Sequence, residues 1–292
     1  MAKSPGKRWA PMQVISFQSR VAYGHVGNST AVPVLQRLGH ETTAVDTTLL
    51  SNHLGYETHG GRILPAEDVA AVVEGLVKLG ILARCDALLT GFLGHSANVA
   101  GDTVQWLRME NPGALYCLDP VMGERDGGLY VAQATAATIG QRLVPEADIL
   151  LPNAFELDYL CGARNRSLSD VATASDALLR RARPGAVVIA TGLDRDDGPG
   201  DRVEVMASAR GARYLASVPR LDLPAHGAGD LFAALFLGHY LHGRNLPSAL
   251  ARTMDATHLV FGNSLGKPEL ALVESLESLR DPPRAAAIEQ IG

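Results

Sequence analysis

Short apolar runs alternate along the chain with longer stretches whose apolar positions recur at helical spacing. The apolar runs predict strands at 14–17, 42–45, 86–90, 115–118, 149–151 and 186–190. The helical patterns lie at 29–38, 67–79, 97–108, 132–143 and 170–183, with three more helices from Asp230, from Pro247 and over 269–279. Strands that alternate with helices of this length predict an α/β fold, a doubly wound and mostly parallel sheet with helices on both faces.

Two late runs, 203–206 and 214–218, have no helical pattern between them. They predict an antiparallel pair of strands, and therefore a short antiparallel edge to the sheet. No linker or shift in composition divides the chain. The sequence therefore predicts a single domain over 13–280, between a flexible N-terminal tail (1–12) and a C-terminal tail (281–292).

Composition narrows the class of protein. With 292 residues, 47% of them hydrophobic, the chain can bury a large core. A net charge of −5 and scattered basic residues argue against nucleic acid as a partner. No apolar run reaches the roughly 18 residues of a membrane span, and residues 1–12 lack the apolar segment of a secretory signal. We therefore expect a cytoplasmic protein without a membrane partner, whose three cysteines are reduced.

The stretch His226-Gly227-Ala228-Gly229-Asp230 joins a glycine turn to an apolar run of helical length. Glycines let backbone N–H groups converge, and a helix N-terminus carries about half a positive charge, so the stretch predicts an anion site. The Asp230 carboxylate is unsuited to holding a phosphate but suited to removing a proton from a group that attacks one. The alternative is a simple helix N-cap, which needs no glycine turn. The stretch therefore predicts phosphoryl transfer.

Three more polar clusters follow predicted strands, where ligands bind in open α/β sheets. Asp119 follows the strand at 115–118, and its carboxylate could act through Mg²⁺, which suits a triphosphate. Asn153 and Glu156 lie on the first turn of a predicted helix, where both could reach a hydrated metal. An Asn N-cap with a capping-box Glu explains that pair equally well. Ser19 ends the first strand, before a glycine-containing loop.

Six motifs carry a resemblance to a known family. They are Gln18-Ser19-Arg20-Val21-Ala22-Tyr23-Gly24-His25-Val26-Gly27-Asn28, Ser51-Asn52-His53, Thr90-Gly91-Phe92, Asp119-Pro120-Val121-Met122-Gly123, Pro152-Asn153-x-x-Glu156 and Gly227-x-Gly229-Asp230. Their order resembles that in pyridoxal kinases of the ribokinase superfamily, over residues 14–262. The Gly-x-Gly-Asp motif specifies only the superfamily, whereas the first two motifs are specific for the pyridoxal branch.

The resemblance implies a ribokinase-like fold and ATP-dependent phosphorylation of the 5′-hydroxyl of pyridoxal, and also of pyridoxine and pyridoxamine. It implies that Asp230 is the catalytic base and that the backbone of Gly227, Ala228 and Gly229 forms an anion hole. The implied ATP-binding residues are Asp119, Asn153, Glu156, Thr191, Gly227 and Gly229. Asp119 and Glu156 would orient Mg²⁺, and a monovalent cation such as K⁺ is a further candidate cofactor.

For the substrate, the resemblance implies contacts with Ser19, Val26, His53, Leu54, Phe92, His226 and Asp230. Ser19 would form a hydrogen bond with the pyridine nitrogen, and Phe92 would lie against the ring. Residues 124–128 match a mobile flap over ATP, and the family suggests a homodimer.

Four residues depart from the family pattern. Leu54 stands where Thr is usual and cannot form a hydrogen bond, and His226 stands where an apolar residue usually precedes the first glycine. Phe92 replaces a common Tyr, and Thr191 a Lys frequent in bacterial members. Two alternatives therefore stay open: a hydroxymethylpyrimidine or other small-alcohol kinase of the same superfamily, and a pyridoxal-phosphate-binding carrier or regulator with weak turnover.

Overall fold

A computed structural model of the chain describes residues 11–193, 195–221, 223 and 226–292. Residues 1–10 of the predicted N-terminal tail lie outside the described residues. Within the described residues the central sheet has nine strands, numbered along the chain and arranged in the order β13-β12-β11-β10-β9-β6-β5-β1-β2. Their bounds are β1 Gln13–Gln18, β2 Glu41–Asp46, β5 Ala87–Thr90, β6 Leu115–Leu118, β9 Ile149–Leu150, β10 Val187–Ala190, β11 Arg202–Ala209, β12 Ala212–Pro219 and β13 Ala287–Gln290.

The six strands from β2 to β10 pair in parallel. The strands β11, β12 and β13 pair antiparallel and form the edge beyond β10. Two small hairpins lie outside this sheet, one from β3 Thr48–Leu50 and β4 Gly61–Ile63, the other from β7 Gly123–Glu124 and β8 Gly128–Leu129. The predicted mostly parallel sheet with an antiparallel edge is therefore confirmed.

Helices cover both faces of the sheet. They are α1 Asn28–Arg37, α2 Ala66–Lys78, α3 Ala97–Glu110, α4 Gln133–Thr138, α5 Ala154–Cys161, α6 Leu168–Arg181, α7 Ala228–Leu241, α8 Leu246–Ser264 and α9 Leu272–Ser275. One core cluster joins the sheet to α1, α7 and α8, and the other joins it to α2, α3 and α6. In β5, Ala87 and Leu89 belong to the first cluster and Leu88 to the second, as the two-residue period of a strand requires. This alternation explains why the parallel strands read as continuous apolar runs.

The helix α7 is the most deeply buried of these elements and positions the site. Ten of its fourteen residues are buried, because α1 and α8 pack on either side of it and the sheet lies beneath. A helix that is apolar all round is expected in such a position. Its N-terminus is therefore held rigidly against the sheet.

Two predicted elements differ from the structure. The helix expected over 269–279 is only the short α9 followed by a 3-10 turn at Leu276–Ser278. The C-terminal tail expected over 281–292 is wrong in part, because β13 adds to the sheet through backbone pairing with β12. This strand is mostly exposed, so no apolar alternation marks it in the sequence.

The three cysteines are free thiols, two of them buried, and no described helix is long and apolar enough to cross a membrane.

Candidate active site

A pocket of about 490 Å³ opens at the carboxyl ends of the parallel strands, facing the N-terminus of α7. Every side chain or backbone segment that the sequence singled out for a site lines it: Ser19, Val26, His53, Leu54, Phe92, Asp119, Asn153, Glu156, Thr191, His226, Gly227, Ala228, Gly229 and Asp230. Residues from at least five strand ends thus converge on one cavity, as expected for an open α/β sheet. Their individual roles stay predictions.

The N-terminus of α7 forms the glycine turn that is predicted to hold an anion, and it is called the anion cradle below. Gly227 caps the helix in a left-handed conformation with φ of +81°, and a Cβ atom there would lie 1.9 Å from the carbonyl oxygen of His25. Only glycine permits both the conformation and this close approach. The first helical N–H groups, at Ala228 and Gly229, have no partner within the helix and lie at the pocket wall. The cradle therefore presents donors that the helix itself does not pair and the positive end of a helix dipole.

Asp230 lies on the first turn of α7, half-buried at the same wall. Burial raises the pKa of its carboxyl to about 6, although a hydrogen bond from the Gly27 backbone opposes the rise. Near neutral pH the group is therefore mostly ionised, yet basic enough to take a proton. Its side chain does not cap the helix, because Gly227 is the N-cap residue and no side-chain cap bond forms. The N-cap alternative for Asp230 is thus wrong.

Asp119 and Glu156 add two more buried carboxyl groups to the pocket. Burial and the charges of Glu156 and Asp230 hold the pKa of Asp119 well above its usual range. Burial likewise raises the pKa of Glu156 to about 7. Clustered carboxyl groups of this kind are stabilised by a cation, and oxygen ligands suit Mg²⁺. No described group of three or more His, Cys, Asp and Glu side chains could hold a metal alone, so phosphate and water oxygens would have to complete the coordination.

Asn153 and Glu156 form a helix cap and also line the pocket. Asn153 Oδ1 accepts from the Glu156 N–H at 2.9 Å and Glu156 Oε2 accepts from the Asn153 N–H at 2.9 Å, a complete capping box. The capping alternative is therefore correct as local structure. The same side chains reach further, because Glu156 Oε1 accepts from the Met122 N–H and Asn153 Nδ2 donates to the Gly123 carbonyl. They join the start of α5 to the β7–β8 hairpin, and both still line the pocket.

The other end of the pocket is less charged. Ser19 is buried just after β1, and Phe92 is half-buried just after β5. His53 and Leu54 come from the loop between β3 and β4, where Ser51 and Asn52 hold the loop through hydrogen bonds to Gly60 and Thr58. Leu54 is 49% exposed. This end combines ring-sized apolar surface with a few polar groups, which suits a small aromatic molecule.

Several pocket residues escaped prediction. Tyr130, Val121 and Phe232 line the cavity, and residues 123–124 bring the β7–β8 hairpin to its edge. This hairpin contains residues 124–128, for which a flap was expected. No sequence pattern marks Tyr130 as a pocket residue. It is positioned by a hydrogen bond that its backbone N–H donates to the Met122 carbonyl.

An open α/β sheet with a glycine turn, a carboxylate on the first turn of the following helix and two further acids in the same pocket is the arrangement of a ribokinase-like phosphotransferase. A family model described as phosphomethylpyrimidine kinase matches residues 35–266. Pyridoxal kinase PdxY of Rubrobacter xylanophilus is 42% identical to the chain over 93% of its length and 95% of that protein. Pyridoxal kinase PdxY of Corynebacterium diphtheriae is 38% identical, over 96% of the chain and 100% of that protein. The chain belongs to the phosphomethylpyrimidine kinase family and, within it, to the pyridoxal kinases.

The fold agrees with that of solved relatives. Pyridoxal kinase from Leishmania donovani, in complex with ADP and pyridoxine, superimposes with a TM-score of 0.88 at 26% identity, over 96% of this chain and 99% of that one. The same enzyme with ADP and pyridoxamine gives the same values. The expected ribokinase-like architecture is therefore confirmed.

Proposed function

We propose that this protein transfers the γ-phosphoryl group of ATP to the 5′-hydroxyl of pyridoxal, and also to that of pyridoxine and pyridoxamine. The observation that carries the proposal is the position of Asp230, a carboxylate of raised pKa beside the anion cradle and in the same pocket as Ser19 and His53. Curated relatives named pyridoxal kinase span nearly the whole chain and support it.

In the proposed reaction, the Asp230 carboxylate accepts the proton of the 5′-hydroxyl as its oxygen attacks the γ-phosphorus. The bond between that phosphorus and the β,γ-bridging oxygen breaks, and ADP leaves. The backbone N–H groups of Gly227, Ala228 and Gly229 donate to the charge that develops on the transferred phosphoryl oxygens. A fixed donor of this kind contributes about 3–4 kcal/mol of transition-state stabilisation in well-studied enzymes.

Asp119 and Glu156 are the residues that would hold Mg²⁺ and its waters, which would neutralise phosphate charge. Their crowded, buried carboxyl groups fit a cation, as their raised pKa values indicate. Asn153 and Thr191 contact the nucleotide from the ends of β9 and β10. The hairpin of β7 and β8 covers the phosphates, anchored at its base by Asn153.

At the other end, Ser19 hydrogen-bonds the pyridine nitrogen and Phe92 packs against the ring. Val26, His53, Leu54 and His226 complete this subsite. The Leu54 side chain supplies apolar contact where a hydroxyl is usual in the family.

The deciding experiment is Mg-ATP consumption by the purified protein with pyridoxal, pyridoxine, pyridoxamine and hydroxymethylpyrimidine in parallel. We expect turnover with the three vitamers and a much lower kcat/KM with hydroxymethylpyrimidine. A preference for hydroxymethylpyrimidine would establish the small-alcohol kinase instead. Tight binding of pyridoxal phosphate without turnover would identify a carrier or regulator.

Three expectations accompany the proposal. A homodimer is expected from the family, and light scattering coupled to size exclusion measures it. A need for K⁺ is measured by replacing K⁺ with Na⁺ in the assay. A cytoplasmic location stays a prediction that cell fractionation tests.

A further inference from the structure

Glu269 lies between α8 and α9, outside the residues that line the pocket, yet its carboxylate contacts two loops that do. Oε1 accepts a hydrogen bond from the Tyr56 hydroxyl at 2.6 Å, and Oε2 accepts one from the His25 N–H at 3.2 Å. The Nε2 atom of His53 is 3.8 Å from Oε1. The Glu269 side chain is only 12% exposed. One largely buried carboxylate therefore joins the loop after β1 to the loop between β3 and β4.

The loop after β1 is shaped to receive this carboxylate. Gly24 has φ of +95°, and a Cβ atom there would lie 2.7 Å from Glu269 Oε2. Real Cβ atoms do not approach an oxygen so closely, so any side chain at this position would displace the carboxylate or the loop. The glycine is thus matched to Glu269, a residue almost at the other end of the chain.

The contacts of His53 fix its protonation and its orientation. Its Nδ1 accepts a hydrogen bond from the Gly55 N–H at 3.1 Å, so the ring proton resides on Nε2, the nitrogen that faces Glu269. Burial and the nearby His226 lower the pKa of His53, against the opposing effect of Glu269. His53 is therefore a neutral imidazole near neutral pH. Nδ1 is thus held by Gly55, Nε2 is directed toward the Glu269 carboxylate, and the ring face lies against neighbouring rings.

The His53 ring is the middle member of a row of three tilted rings that leads toward the anion cradle. The Tyr56 and His53 ring centroids are 4.6 Å apart, and those of His53 and His226 are 4.2 Å apart. His226 directly precedes the capping Gly227, and both histidines line the pocket. The row Tyr56–His53–His226 thus runs from Glu269 to the start of α7. Tyr56 and His53 share the loop between β3 and β4, whereas His226 precedes α7. The alignment of the three rings therefore depends on what holds that loop in place.

We propose that Glu269 is a positioning residue for the alcohol substrate: by fixing Tyr56, His53 and the loop after β1, it aligns the His53–His226 pair as one rigid wall of the substrate subsite. This inference rests on the proposed function and deepens it. Glu269 touches neither substrate nor phosphate. It acts by restricting the conformations of the His53 and His226 side chains before the substrate binds. Preorganisation of this kind improves affinity without adding a contact. The proposal also gives the unusual His226 a role, as the ring of that wall nearest the start of α7.

Steady-state kinetics of Glu269→Ala with Mg-ATP and pyridoxal test the proposal. We expect the KM for pyridoxal to rise roughly tenfold, in line with the cost of ordering a few side chains. The KM for ATP and kcat should stay within about twofold, because the cradle and Asp230 are not contacted. Glu269→Gln keeps an acceptor for the Tyr56 hydroxyl and should restore most of the affinity. Glu274→Ala is the matched control, since Glu274 lies on the same segment, is 64% exposed and pairs only with Lys267 among the described ion pairs.

A double variant separates positioning from general loosening. Tyr56→Phe removes the hydroxyl that Glu269 binds, so the two changes act on one link and should not add. The pyridoxal KM of Glu269→Ala/Tyr56→Phe should equal that of Glu269→Ala. Additive effects, an equal rise in the KM for ATP, or a loss confined to kcat would each overturn the proposal. Glu274→Ala raising the pyridoxal KM as much as Glu269→Ala would do the same.

Equilibrium binding of pyridoxine by calorimetry separates this inference from the proposed function. If the wild-type protein binds pyridoxine but does not turn over pyridoxal, the proposed function fails. A roughly tenfold weaker affinity in Glu269→Ala still supports the positioning role in that case. Unchanged pyridoxine affinity in a folded Glu269→Ala variant overturns the role, whatever the turnover.

Discussion

The anion cradle depends on a single glycine, and Gly227→Ala tests that dependence quantitatively. The left-handed conformation at this position, with φ of +81°, costs a residue with a Cβ atom about 1–2 kcal/mol. The added methyl group would also lie 1.9 Å from the His25 carbonyl oxygen, so either the loop after β1 or the start of α7 must move. Since catalytic donors are effective only within a few tenths of an ångström, the expected loss of kcat is roughly 100-fold or more.

Gly185→Ala is a matched control for the strain alone. Gly185 has nearly the same conformation, with φ of +85°, but nothing lies within 4 Å of an added Cβ atom. Both variants should therefore share a destabilisation of about 1–2 kcal/mol, which lowers the Tm of a chain of this size by about 2–8 °C. Only Gly227→Ala should lose activity.

The assays are steady-state kinetics with Mg-ATP and pyridoxal, and thermal unfolding followed by circular dichroism. A kcat for Gly227→Ala within threefold of the wild type would refute the reasoning that ties catalysis to the close approach of Gly227 and His25. An equal loss of activity in Gly185→Ala would refute it too, because general strain would then explain both results.

Three further outcomes are expected. Asp230→Asn keeps the shape of the side chain but removes the base, so kcat should fall at least 100-fold while nucleotide affinity, measured by calorimetry, changes little. Leu54→Thr places a hydroxyl in the substrate end of the pocket and should lower the KM for pyridoxal about two- to tenfold, the usual range for one hydrogen bond. Burial lowers the pKa of His239 to about 3, assisted by charges that face it from Arg252, His242 and His40. Because the folded-state pKa lies below the unfolded value of 6.5, the stability contributed by neutral His239 is complete above pH 6.5 and falls as the pH drops toward 3. The loss is about 2 kcal/mol at pH 5, and His239→Gln should flatten the dependence of Tm on pH.

Controls and contrary results are specific to each variant. Asp230→Asn with wild-type kcat removes Asp230 as the base. Leu49→Thr makes the same change on β3 at a residue that is 67% exposed and does not line the pocket, so it should leave the pyridoxal KM unchanged. His59→Gln alters an exposed histidine and should keep the full pH dependence of Tm. If His239→Gln keeps it as well, His239 is not its source.

Much of the site could be predicted because its signals are local. The glycine turn before the apolar run of α7 places an anion cradle and Asp230 within four residues, and strand ends mark Asp119 and Asn153. The local signal was ambiguous for Glu156, because a capping box and a metal-directed carboxylate use the same spacing. The structure shows the box and also a hydrogen bond that the Met122 N–H donates to Glu156, a contact across 34 residues that spacing cannot reveal.

Contacts between distant residues were beyond prediction. Glu269 and Tyr56 are separated by 213 positions, and nothing near either residue marks the other as its partner. The strand β13 shows the same limit at the level of secondary structure, since its residues are mostly exposed and only pairing with β12 makes them a strand. The helix predicted over 269–279 begins only at Leu272, and Glu269, in the non-helical segment before it, bonds to residues far away in the sequence.

The sequence by itself determined most of the strands and helices along the chain, the parallel sheet with an antiparallel edge, and the glycine turn with its carboxylate. These features depend on apolar periodicity and on turns of a few residues. Each of these signals is contained within one short stretch of the sequence. The tertiary structure decided which loops meet at the pocket, how a carboxylate near the C-terminus aligns a pair of histidines, and which edge receives the last strand. Such features arise only when packing of the sheet brings remote segments within hydrogen-bonding distance. Contacts between those segments stabilise the features, and no single segment of the sequence contains both partners of such a contact.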